Sequence, residues 1–168
     1  MNHDLTISDI KESIDYKCYK KYFWVFLIFW LFTTSLFFLA MSLPFSDDLD
    51  LFLENLGYIL ILPTFSSLIF MPFFIPSGYK MRYLLKNYQN FKLYEVKLDN
   101  ISVGLRGAVS YYVTFVHEGK RKNISTNACF SGVMSDFTVE EYNNKKVIIL
   151  YDDKKESVYV IRKTKESY

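Results

Sequence analysis

From Tyr22 to Ser46, and again from Asn55 to Tyr79, the chain carries no charged residue. Each run exceeds the roughly 20 residues that a helix rising about 1.5 Å per residue needs to cross the hydrocarbon core of a bilayer. The pattern predicts a membrane α-helical hairpin, with helices over residues 22–44 and 55–76 and a short loop between them. A secretory signal competes for the first run, because Lys17, Lys20 and Lys21 precede it as a basic n-region would. The run outlasts the apolar stretch of about 7–15 residues typical of such signals, and "LAMSLPFS" makes a poor small-residue cleavage site. Tyr22, Phe23 and Trp24 at the entry fit an interfacial belt of amphipathic rings.

Charge sets the orientation. Lys17, Lys20 and Lys21 flank the first run, and Lys80, Arg82 and Lys86 follow the second. The connecting "PFSDDLDLFLEN" holds Asp47, Asp48, Asp50 and Glu54 without a Lys or Arg. The positive-inside rule then places both termini in the cytoplasm of a multi-pass protein of a bacterial inner membrane, and the acidic loop outside. Lys20, Lys21, Lys80, Arg82 and Lys86 are the expected membrane-surface residues. Cys18 and Cys129 fall in a reducing compartment, so no disulfide is expected.

The net charge of +2 hides an excess in residues 76–168 of sixteen Lys and Arg over ten Asp and Glu. That excess, starting just past the second run, suits an anionic leaflet better than nucleic acid, whose binders show a denser basic stripe.

Within the hairpin, the midpoints of the two runs put Thr33 and Thr34 at the depth of Ser66 and Ser67. Small hydroxylated residues let helices approach closely and can bond across the interface, so these four are the candidate helix-to-helix contacts. Back-bonding to each hydroxyl's own helix competes with this, and pairing of several hairpins into a homo-oligomer is a third use. Pro63, Pro72 and Pro76 predict a kink near Pro63 and a helix end between Pro72 and Pro76. Neither run contains an Asp, Glu, Lys, Arg or His, which argues against a proton or ion path. "GYKMRYLLKNYQNFKLYEV" then alternates rings with amines, the mark of a connector helix along an interface, over 80–92.

Beyond it the periodicity changes. "LYEVKLD" alternates with Tyr94, Val96 and Leu98 on one face, and the pattern resumes out of phase at Ile101, so Asp99 and Asn100 predict a β-bulge. A strand through Tyr111, Val113 and Phe115 reaches the tight turn "HEGK" and a third strand near residues 122–126. Two more follow near 145–151 and 157–162, joined by "DDKKE". Five strands in about seventy residues, several apolar on both faces, predict a small all-β barrel of the OB or SH3-like kind over 93–163. A short helix at 138–142 caps it. Residues 1–21 form a separate N-terminal segment and 164–168 a tail.

The order "YYVTFVHEGK", a polar strand ending in Thr, then "YNNKKVIILYDDKKESVYV" resembles the β domain of the bacterial membrane proteins grouped as domain of unknown function 3592, over Tyr94 to Ile161. Asp153 stands where that family often has proline, and both helices precede the domain here, whereas family members often flank it. The resemblance implies a barrel and no known activity.

The remaining motifs have structural readings. Asp152 and Asp153 imitate a magnesium-binding acidic pair but are followed by Lys154 and Lys155, which fits a hairpin turn. His117 precedes a turn and is expected at the solvent or the barrel rim, with no metal partner at ligand spacing. Cys129 beside Ser131 lacks a positioned base, and "GLRG" lacks the Lys-Ser/Thr of a phosphate loop. Asn100 and Asn123 match the glycosylation acceptor but lie in strands. Lys120–Lys122 reads as charge guarding an edge strand. No catalytic group, metal or cofactor site emerges. The expected function is a non-enzymatic, membrane-anchored protein whose cytoplasmic β domain binds a protein partner. The alternative is an immunity protein that meets a toxin with its helices and acidic loop.

Overall fold

The computed structural model describes residues 5–103, 109–127 and 139–163. The chain divides into two compact units, one made of Met1–Tyr19 together with Lys80–Tyr168 and the other of Lys20–Tyr79. Two long apolar helices supply the second unit. They are α2 (Ile14–Ser42) and α5 (Ile61–Asn87), and both run past the ends of that unit. Both are long and apolar enough to cross a membrane, and the apolar window of α2 is 0% buried while that of α5 is 22% buried. The core helix of a water-soluble protein would be mostly covered. Here Phe29, Phe32 and Leu36 on α2, and Phe65, Leu68 and Phe73 on α5, are exposed.

Facing surfaces of the two helices interlock through rings. Phe26 stacks on Phe73 at 4.9 Å, Trp30 meets Phe74 at 5.5 Å, and Phe23 stands edge-on to Phe74 at 6.2 Å. A Cβ on Gly78 would lie 3.0 Å from the Phe23 ring, so the glycine allows this approach.

The connection between the helices is folded rather than open. A 3-10 turn (Leu43–Phe45) leads to α3 (Leu49–Glu54) and α4 (Leu56–Ile59). Asp48 caps α3, its carboxylate accepting from the amides of Asp50 at 3.0 Å and Leu51 at 3.2 Å. The helix breaks at Leu60, where Pro63 has no N–H to offer the carbonyl of Ile59. The expected end between Pro72 and Pro76 is not found, because α5 passes through both prolines to Asn87. In an apolar stretch, unwinding would strand more amides than the two that proline lacks, so the ladder continues.

The first unit contains two three-stranded antiparallel sheets, not the closed barrel expected. One has the order β1 (Lys92–Lys97), β5 (Lys146–Asp152), β6 (Ser157–Lys163), and the other β2 (Asn100–Val103), β3 (Val109–His117), β4 (Lys120–Ser125). Asp99 and Asn100 do not form a bulge within one strand; the chain leaves the first sheet there and enters the second. Buried Leu98 anchors the corner, donating to Lys145 O at 3.0 Å and accepting from Asn144 N at 2.7 Å. β3 alternates as its sequence requires, with Val109, Tyr111, Val113, Phe115 and His117 buried. Glu118 and Gly119 both adopt positive φ, the geometry of a two-residue hairpin turn between His117 and Lys120. A short helix, α6 (Val139–Tyr142), precedes β5.

Barrel closure was inferred from strands apolar on both faces, and the structure covers the second face with helix. Residues 5–19 and the end of α5 lie on the β1–β5–β6 sheet. Ile10, Tyr19, Leu84 and Phe91 form one core with Leu150, Tyr159 and Ile161. Ile149, Val160 and Val147, on the opposite face, are each 0% exposed. The segment 1–21, read as separate, thus contributes α1 (Ile7–Glu12) and the start of α2 to this core. Thr6 opens α1 with a reciprocal capping box to Asp9. Ser13 then closes α1 and opens α2, donating to Ile10 O at 2.7 Å and accepting from Tyr16 N at 3.2 Å. The connector 80–92 is likewise core, since Leu84 and Phe91 face the sheet.

A buried isoleucine cut to alanine leaves a cavity that typically costs about 2–5 kcal/mol. Ile10→Ala should therefore lower the thermal midpoint of the β unit in detergent micelles, followed by near-ultraviolet circular dichroism. Phe32→Ala, on an exposed helix face, should leave it unchanged.

Candidate functional site

One end of the β unit gathers a cluster of aromatic and titratable groups. Period-2 alternation sends Tyr94 of β1, Phe115 and His117 of β3, and Tyr151 of β5 into the space between the sheets. The ring of Phe115 lies 4.6 Å from Tyr94 and 5.1 Å from Tyr151, and His117 lies 4.8 Å from Tyr151. His117 is 4% exposed, so its expected position at the solvent or rim is corrected. The tight turn follows it directly, yet its register continues the buried face of β3.

Tyr94 OH lies 2.7 Å from His117 Nδ1, and Asp153 Oδ1 lies 3.2 Å from Nε2. Among the described residues Nε2 is not aligned for a hydrogen bond to that carboxylate. Among the described residues the fully buried Tyr151 hydroxyl has no aligned hydrogen-bond partner, although Asp153 and Lys122 act on it. Burial pushes that hydroxyl above the usual tyrosine range, so it stays protonated at neutral pH. Two exposed ion pairs flank the cluster, Lys92 with Glu118 at 2.8 Å and Lys122 with Glu156 at 2.7 Å. The hydrogen bond from Lys92 holds the Glu118 carboxyl below its ordinary range.

Beside this cluster a cleft of about 190 Å³ opens between the end of α5 and the β5–β6 turn. Tyr83, Asn87, Phe91, Lys92, Asp152 and Asp153 line it. Tyr83 OH donates to Asp152 Oδ2 at 2.6 Å, and Lys154 N donates to Asp152 Oδ1 at 3.1 Å. Both oxygens of Asp152 are thus engaged, and the acidic pair forms a turn cap and a tie to α5. Lys155 Nζ sits 3.3 Å over the Tyr83 ring and adds a cation–π contact to that tie. Among the described residues no group of three or more His, Cys, Asp or Glu is placed to hold a metal ion.

A third feature escaped sequence reasoning. Asp15, in the first turn of α2, is 2% exposed. Its Oδ2 accepts from Val160 N at 2.8 Å and its Oδ1 from Asn127 Nδ2 at 2.8 Å. Loss of water pushes its carboxyl up to about 6, against the lowering effect of both hydrogen bonds and of the Lys80 charge. β6 is the edge of its sheet, and Asp15 satisfies one of the edge amides that would otherwise face open space. The available sequence signal was the stripe Ile10, Ile14, Cys18 at helical spacing, with an acid set next to it.

The hydroxyl residues expected between the helices lie as follows. Thr34 Oγ1 is 3.2 Å from Ser66 Oγ across the pair, and Ser67 Oγ accepts from Trp30 Nε1 at 2.9 Å while donating to Pro63 O at 3.0 Å. Thr33 bonds back to Phe29 O on its own helix. Of the basic residues, Lys20, Lys80, Arg82 and Lys86 are exposed and Lys21 is half-buried; Lys80 Nζ lies 5.0 Å over the Tyr19 ring. Asn100 and Asn123 lie in β2 and β4, and Lys120–Lys122 lies in β4, an edge strand. Cys18 is buried and forms no disulfide among the described residues. Cys129, Ser131 and "GLRG" lie outside the described residues.

The chain matches no protein-family model, no curated protein and no solved structure.

A buried hydroxyl without an aligned partner recovers little of its desolvation cost, whereas a hydrogen bond to a charged group contributes about 1.5–3 kcal/mol. Tyr151→Phe should leave urea stability unchanged or raise it, and Tyr83→Phe should lower it by roughly that amount. Chemical denaturation of the two variants side by side checks both signs.

Proposed function

We propose that this chain is a membrane-anchored binding protein whose β unit engages a protein partner. The helices over 22–44 and 55–76 cross a bacterial inner membrane as a hairpin, with both flanks in the cytoplasm. The observation that carries the reading is that residues ahead of the first helix and residues behind the second share one hydrophobic core. Flanks folded into a single body require an even number of crossings. The exposed apolar side chains of both helices support the bilayer, because a water-soluble protein seldom leaves so large an apolar patch uncovered. Lysines near the flanks and carboxylates in the loop set the orientation.

A binding role is supported by the solvent face of β3, which adds exposed Tyr112 and Val116 to hydroxylated neighbours, a composition suited to protein contact.

The folded acidic loop favours a second reading, an immunity protein that recognises a toxin outside the membrane. Capped α3 presents Leu49, 71% exposed, between carboxylates. A photo-crosslinking residue at Tyr112 or Val116, in the full chain in native membranes, should yield a discrete protein adduct. Adducts from Leu49 alone would move the function to the loop, and adducts of twice the chain mass from Phe32 would indicate a homo-oligomer. Absence of protein adducts at every position would overturn both readings. A C-terminal alkaline phosphatase fusion should be inactive, and activity would reverse the orientation.

A further inference from the structure

One buried, doubly hydrogen-bonded ionisable group takes no part in the cleft, the His117 cluster or the helix pair. Asp15 joins three parts of the first unit: its own helix turn, the free edge of β6 through Val160 N, and the segment after β4 through Asn127. Asn127 Nδ2 also reaches Val158 O at 3.4 Å, and Thr126 bridges to Val158, so the contact lies where the two sheets meet. Ser13, one position past the end of α1, and Cys18, one turn on from Asp15, are buried with it. The charged and titratable groups that face Asp15 from the packed elements are Lys80 of α5 and Tyr159 of β6.

We propose that the Asp15 contact is a proton-operated latch that sets how tightly residues 5–19 hold the edge of β6. Ionised, the carboxylate accepts two hydrogen bonds but is stripped of water in an apolar setting. Protonated, it gives up one of those acceptors and sheds the desolvation cost. The folded-state value is raised from the ordinary 3.8 to about 6, because burial outweighs the two donors and Lys80. For a raised folded value, the stabilising contribution is fully present below the open-state value. It is lost as pH rises through the folded one. The latch is therefore tightest in acid and loosens toward neutral pH. A displacement of about two units corresponds to about a hundredfold difference in opening between the two charge states. With an open-state value near 4, opening should rise about tenfold from pH 5 to pH 7 and level off above. Asp15 lies in the first turn of the helix that carries the first apolar run, so a loosened latch frees the entry to that helix.

The experiment is amide hydrogen exchange on the full chain in detergent micelles, corrected for intrinsic rates, read at Val160 and at Ile10 between pH 5 and pH 8. The wild-type opening constant should follow the tenfold rise, and Asp15→Asn, which keeps the size without the charge, should abolish it. A carboxyl ¹³C titration of Asp15 in the unaltered chain gives a second readout that needs no variant, with a midpoint near 6. A midpoint in the ordinary aspartate range, or the same pH profile in Asp15→Asn, would overturn the latch.

Discussion

Everything else in the fold hangs on one burial event. The outer face of the β1–β5–β6 sheet, apolar at Leu150, Tyr159 and Ile161, is covered by helix from both ends of the hairpin, through Ile10 and Tyr19 on one side and Leu84 and Phe91 on the other. Burying an Ile, Leu or Phe side chain is worth about 1.5–3 kcal/mol, so these residues are a substantial share of what stabilises a small β domain. Neither sheet is large enough to hide both of its faces alone. The chain solves this by recruiting segments separated by both long apolar runs, which makes the β unit, the start of α2 and the end of α5 one folding problem.

Polar detail follows from that arrangement. Placing α1 and the first turn of α2 across the sheet brings an edge strand against helix, and its free amides need acceptors. Asp15 accepts from Val160, and Asn127 links the carboxylate to the backbone of β6. At the other side Tyr83 of α5 reaches Asp152 at the start of the β5–β6 turn. Each flank is thus held by apolar contact and by one buried hydrogen-bonded aspartate. The two differ in their donors: Asp152 receives a phenol and a turn amide, whereas Asp15 receives a strand amide and a side-chain amide, and loss of water pushes Asp15 up to about 6. The same burial that closes the core makes one of its ties respond to protons.

The sequence was most legible where a single period dominated. Uncharged runs located both long helices, and alternation located β1 and β3, because exposure of one face repeats every second residue. Legibility failed where two segments far apart in sequence met. Apolar residues on both faces of β5 and β6 were correctly read as doubly covered, but the cover is α1, α2 and α5, and no local pattern distinguishes a helix partner from a closing strand. Pro72 and Pro76 misled for a related reason: local propensity ends a helix there, while an apolar stretch favours an unbroken ladder. His117 was placed by its neighbouring turn, yet its alternation with Phe115 and Val113 already put it on the buried face. Asp15, the residue with the most consequential position, carries no motif at all, since only its neighbours 112 and 145 residues away make it unusual.

The central claim is that residues 5–19 belong to the core of the β unit, and nuclear Overhauser contacts in the full chain in micelles test it most directly. Cross-peaks should join the Ile10 methyl groups to the Tyr159 ring or the Ile161 methyls. An N-terminal segment with random-coil shifts and no such cross-peaks, beside a folded β1–β5–β6 sheet, would contradict it.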